Sequence, residues 1–118
     1  MKTIEQERAY FALKCVERIK DKEIKDKYGR NAKRLPALLT SNGLVSTLAF
    51  LKSKSETEQL YKDIEKWLKE KRKMLEENKS LLEYCLEISS AQYRLLTTES
   101  LAFAEWLKRM AEVELREE

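Results

Sequence analysis

The chain contains no histidine. That absence removes the commonest general base and the commonest metal ligand together. No GxxxxGK followed by Ser or Thr occurs, and no GxGxxG, so phosphate cradles of those types are excluded. Two glycines and one proline leave little material for tight turns or sheets. The two cysteines, Cys15 and Cys85, lie far apart inside helical patterns and lack a CxxC partner. Buried, reduced thiols are expected of them rather than a disulfide or a metal site. No apolar run approaches the ~20 residues of a membrane span. The opening residues, MKTIEQERAYF, lack the apolar core of a signal peptide, so a cytoplasmic location away from membranes is expected. Close carboxylate pairs exist at Glu5/Glu7, Glu56/Glu58 and Glu112/Glu114. Residues two apart on a helix point in different directions, so these acids read as solvated surface. With no polar cluster set at an apolar cleft, a non-enzyme is expected, without catalytic residues, cofactor or metal.

What the sequence does hold is charge and leucine. Charged residues make up 38% of 118 positions, well above the usual quarter, and hydrophobic residues 42%. Leucine is common and β-branched residues are few, which favours helices. The length suits one core. We therefore expect an all-α single domain, 1–118, built as a compact bundle of five or six helices.

The densest apolar stretch is Arg34 to Leu51, RLPALLTSNGLVSTLAFL. It holds the only proline and, at Asn42-Gly43, the clearest stop signal in the chain, since Gly and then Asn adopt the left-handed conformation at least cost. The pattern predicts a helix, a corner and a helix, with this apolar wedge covered by longer polar helices. The first helix is expected over about 3–27, capped by Thr3 with Gln6 and closed at Tyr28-Gly29. A second follows over 30–41, in which Pro36 either opens the helix or kinks a longer one. A third runs over 44–54 and a fourth over about 56–74, with Ser55 and Glu58 as a further capping box. A short fifth helix spans 80–88. The last, opened by Ser89 with Gln92, covers about 90–115 and is apolar over a wide arc. Leu38, Leu48, Phe50, Leu101, Leu107 and Trp106 are expected to be buried together.

The net charge of +3 conceals an asymmetry. Residues 1–59 hold 13 Lys/Arg against 8 Asp/Glu, whereas residues 60–118 hold 11 against 13. Between Arg18 and Pro36 stand eight basic residues and three acids. A local surplus of this kind is the footprint of a polyanionic partner. Lys27, Arg30, Lys33 and Arg34 are the first candidates to face a phosphate backbone. Smaller patches, Lys71-Arg72-Lys73 and Lys108-Arg109, match what a solvated helix face usually carries.

Two segments, KRLPALLTSNGLVSTLAFL (33–51) and YRLLTTESLAFAEWLKRMAE (93–112), carry a resemblance. In order and spacing they resemble the small all-helical subunit of the Cmr complex, the type III-B CRISPR RNA-guided effector of antiviral defence. The matching features are Leu35-Pro36, Asn42-Gly43-Leu44, Leu48-Ala49-Phe50, Tyr93-Arg94, Thr97 with Glu99, Trp106-Leu107 and Lys108-Arg109. The fourth helix carries nothing diagnostic. The resemblance implies a non-catalytic subunit that stacks with copies of itself and with other Cmr subunits. It implies support of guide and target RNA, with cleavage left to other subunits, and it adds Lys108 and Arg109 to the RNA-facing candidates.

Two other classes compete. A helix-turn-helix DNA binder would place its second helix after the Asn-Gly corner, yet LVSTLAFLKS offers almost no groove-reading side chain. A helical protein–protein adaptor without nucleic-acid contact would assemble equally well with the basic cluster neutralised.

Overall fold

The computed structural model describes residues 1–116. Six α-helices follow one another: α1 (Ile4–Ile19), α2 (Lys25–Asn42), α3 (Leu44–Lys52), α4 (Ser55–Lys66), α5 (Leu81–Glu87) and α6 (Ser90–Glu114). A π-helical turn, Trp67–Lys71, continues α4. No strand occurs among the described residues. The all-helical expectation is met.

The capping at Thr3 forms in full, with the Thr3 hydroxyl accepting from Gln6 N–H and the Gln6 side chain accepting from Thr3 N–H. Ser80 and Ser89 cap α5 and α6 by accepting from the backbone of Glu83 and Gln92. Ser55, by contrast, is the first residue of α4 rather than its cap, and Lys54 occupies the cap position without a side-chain hydrogen bond.

The first two helices divide differently from the sequence reading. The chain turns at residues 20–24, and Tyr28 and Gly29 lie inside α2. The turn is a charged run with no apolar residue before Ile24 to anchor it. Tyr28 is held within the helix by burial and by its hydroxyl, which donates to Asp63 of α4 at 2.6 Å. Gly29 is buried against Leu115, at a distance where a β-carbon would sit 3.5 Å from Leu115 Cδ1. Its conformation is helical, so glycine at 29 does not end the helix. Pro36 is a buried residue inside α2, not its start. Gly43 is the true corner: its φ of +84° separates α2 from α3 and suits glycine alone.

α6 is the axis of the fold. α1 runs parallel to it, with Arg8 meeting Glu99 near one end and Lys20 meeting Glu114 at the other. α2 runs antiparallel, so that Gly29 faces Leu115 while the Tyr93 hydroxyl accepts from Val45 N–H just past the Gly43 corner. α4 lies over α2, and α5 is fastened beneath α4 by Tyr61 and Glu65, which accept from the N–H groups of Leu82 and Leu81.

The wedge residues Leu35, Leu39, Leu44, Leu48 and Leu51 share one buried core with an aromatic cluster of Trp67, Phe11 and Phe103. Trp67 stacks on Phe103 with centroids 5.2 Å apart and planes 12° apart, and Phe11 tilts against both. Leu48 and Leu107 are fully buried as expected, but Leu38, Phe50, Leu101 and Trp106 are only half-buried. α3 is apolar on nearly every side, so its pattern alone did not say which side faces inward. Phe50 sits at the rim under Lys54, and Trp106 at the rim under Arg109.

Candidate nucleic-acid interface

On α2, Lys27, Arg30 and Arg34 are spaced i, i+3 and i+7 and share one exposed stripe opposite the buried Tyr28, Ala32 and Leu35. Lys33 lies about 100° around the helix from Arg34 and is half-buried. The four candidates therefore do not form one flat patch. Lys27 is already engaged: its ammonium donates to Glu56 at 2.6 Å, and that contact holds the Glu56 carboxyl below its ordinary pKa. Arg30, Lys33 and Arg34 have no carboxylate within ion-pairing distance among the described residues. Their charge is left to solvent or to a partner.

Lys108 and Arg109 likewise diverge. Lys108 is half-buried on the flank of α6, whereas Arg109 is exposed and its guanidinium lies 5.6 Å from the Trp106 ring centroid. Only Arg109 points fully outward.

Sequence reasoning missed the two buried carboxylates. Glu99 accepts from Arg8 Nε and Nη2, both at 2.8 Å, and from Trp67 Nε1 at 2.9 Å, with Arg72 Nε at 3.4 Å. Burial pushes its pKa up, but the Arg8 and Trp67 hydrogen bonds and the two guanidinium charges outweigh burial and leave it below the ordinary value. Asp63 accepts from the Tyr28 hydroxyl at 2.6 Å and from Gln59 Nε2 at 3.0 Å. No ion pair reaches it among the described residues, and burial raises its pKa despite those donors. Their spacing to apolar neighbours could have signalled burial, because Glu99 and Asp63 fall on the inner stripes of their helices. Both acids accept from other elements, Glu99 from Arg8 and Trp67 and Asp63 from Tyr28, with Gln59 of α4 itself as Asp63's second donor, a structural arrangement. No group of three or more Cys, Asp or Glu residues is placed to hold a metal ion among the described residues.

Cys15 and Cys85 are free and buried, and burial raises both thiol pKa values, that of Cys85 to about 11. Neither is a ready nucleophile. After the Gly43 corner, α3 turns Leu44, Thr47, Leu48 and Leu51 inward and leaves Ser46, Ala49 and Lys52 exposed. That surface lacks the side chains of a groove-reading helix. No described helix is long and apolar enough to cross a membrane.

The fold and its outward cations thus describe an all-helical module whose buried polar groups hold it together and whose free charge lies on the surface. The family model for CRISPR-associated protein (Cas_Cmr5) matches residues 4–114, and the chain belongs to that family. A CRISPR system Cmr subunit, Cmr5, of Thermotoga maritima is 34% identical over 119 residues, which cover 96% of this chain and 85% of the relative. The crystal structure of a CRISPR-associated Cmr5 family protein from Thermus thermophilus superposes with a TM-score of 0.84 at 32% identity, over 98% of this chain and 100% of the other.

Proposed function

We propose that the chain is a non-catalytic subunit of a type III-B CRISPR effector that supports guide and target RNA through backbone contacts while stacking with further copies and neighbouring Cmr subunits. Family membership supports a place within a Cmr assembly. The RNA reading is carried by one observation: Arg30 and Arg34 stand on a single exposed stripe of α2 and form no ion pair among the described residues. Lys27 contributes once Glu56 is displaced or shared, Lys33 lies on the flank of the stripe, and Arg109 is an outward cation of α6, with Lys108 beside it. A net charge of +3 makes a lone copy a weak binder, because few phosphates are neutralised. Aligned copies raise the effective concentration of such patches along one strand.

The test is replacement of Lys27, Arg30, Lys33 and Arg34 by Glu. Target-RNA capture by the assembled complex should fall, and incorporation of the subunit should persist. The salt dependence of capture should flatten by about one unit of slope for each phosphate no longer neutralised. Unchanged capture at physiological salt with normal incorporation would favour the adaptor reading.

A further inference from the structure

A second cationic surface lies away from α2, in a cleft of about 580 Å³ between α1 and the π-helical turn. Its size falls within the ~300–1,000 Å³ of small-ligand sites. One wall is the outward stripe of α1 and the other is the end of α4 with the turn. Lys2, Lys14, Arg18, Lys66 and Lys71 line it against two acids, Glu7 and Glu70. Four of those five cations have no ion pair among the described residues; Lys14 reaches Glu17 at 3.4 Å on the exposed side. At the mouth stands Tyr10, 54% exposed, with the Lys2 and Lys14 ammonium groups 5.0 and 5.2 Å from its ring centroid. The base of the cleft is formed by Phe11 and Trp67, both anchored in the aromatic core.

An exposed aromatic ring in a cleft of mostly unpaired cations is the chemistry that binds single-stranded nucleic acid. The cations track phosphates, and the ring offers a face to a base that is not already stacked in a duplex once an ammonium now lying over it swings to a phosphate. Phe11 and Trp67, packed in the aromatic core, fix the floor of the cleft. We infer that this cleft takes one unpaired nucleotide of a single strand, its base on Tyr10 and its phosphate among Lys14, Arg18 and Lys66. The contact is separate from the α2 stripe and recognises the unpaired state of a strand, which backbone contacts alone do not.

The experiment uses the full chain and fluorescence anisotropy at low salt, with a labelled oligouridylate and the same strand made abasic. Tyr10→Ala should weaken binding of the oligouridylate by about tenfold, Tyr10→Phe should retain it, and the abasic strand should bind wild type and Tyr10→Ala alike. Lys14→Gln with Lys66→Gln should weaken both strands. These effects should persist when the α2 cations are replaced by Glu, which separates this inference from the backbone reading. Equal binding of Tyr10→Ala and wild type, equal affinity for the two strands, undetectable binding by wild type, or equal competition by polyglutamate would overturn it. Circular dichroism should show that each substitution leaves the helices intact.

Discussion

Arg8 on α1 and Glu99 on α6 share two hydrogen bonds of 2.8 Å, across 91 residues of chain. The pair fastens the first helix to the last beside the aromatic core, and the Trp67 indole joins it from the π turn. Removing one member leaves the other charge buried without its main partner. Arg8→Ala is expected to lower unfolding free energy by about 3 kcal/mol, read by urea denaturation at neutral pH; a change below about 0.5 kcal/mol would match an exposed pair instead.

The same pair sets an acid limit. Glu99 has a folded pKa below its ordinary value, so the unfolded chain binds the proton more readily. Its stabilisation is present above the unfolded carboxylate pKa of about 4.3 and is lost as pH falls through the folded value. Arg8→Ala should blunt this loss, seen as a shallower fall of the denaturation midpoint between neutral and acid pH.

Asp63 acts with the opposite sign. Burial raises its folded pKa, so here the folded chain binds the proton more readily. Stability is reduced as pH rises from the unfolded value, about 3.9, through the raised folded one. Asp63→Asn removes this dependence while leaving an oxygen to accept from Tyr28. Relative to wild type it should lose its disadvantage, or become the more stable, as pH rises through that window. Parallel urea titrations across the window decide the matter, and identical pH profiles would show that Asp63 keeps an ordinary pKa.

The two glycines should respond in opposite directions. Gly43→Ala forces a β-carbon residue to φ +84° and should cost about 1 kcal/mol or more. Gly29 is helical, and its added β-carbon would meet Leu115 at ordinary contact distance. Gly29→Ala should therefore stabilise by about 0.4–1 kcal/mol. Thermal melts of the two variants against wild type are sufficient to test both.

Core and rim should also separate. Leu48→Ala should cost about 2–5 kcal/mol and Trp67→Ala about 3–5 kcal/mol, because both side chains are fully buried. Leu38→Ala, at the half-buried rim, should cost clearly less than Leu48→Ala. Equal losses by denaturant titration would place Leu38 in the core after all.

How far the sequence led depended on how local each signal was. Thr3, Ser89 and Gly43 act within a few residues, and each was readable. Gly29 carries the same composition signal as Gly43, but tertiary burial against Leu115 overrides it. Trp67 was visible as one apolar position of a charged helix, yet its central place depends on Phe11 and Phe103, distant in sequence. The cations of α2 were legible as a cluster. Their division into an open stripe, a half-buried Lys33 and a Lys27 paired with Glu56 needed the packing of α2 against α4 and α6. Glu99 stood inside a motif that drew attention for its resemblance, while its role as a buried anchor came only from side chains on two other helices.

The π turn at Trp67–Lys71 has a consequence for how such chains differ in length. A π turn holds one more residue per turn than an α-helix, and here it closes α4. A chain one residue shorter here can continue α-helically past Trp67 without disturbing the indole or its Glu99 contact. The turn ends α4 and an irregular segment follows up to Leu81, so single-residue insertions and deletions among relatives should gather between 68 and 80 and be scarce in α6, where one residue more or less would rotate every inward side chain beyond it by about 100°.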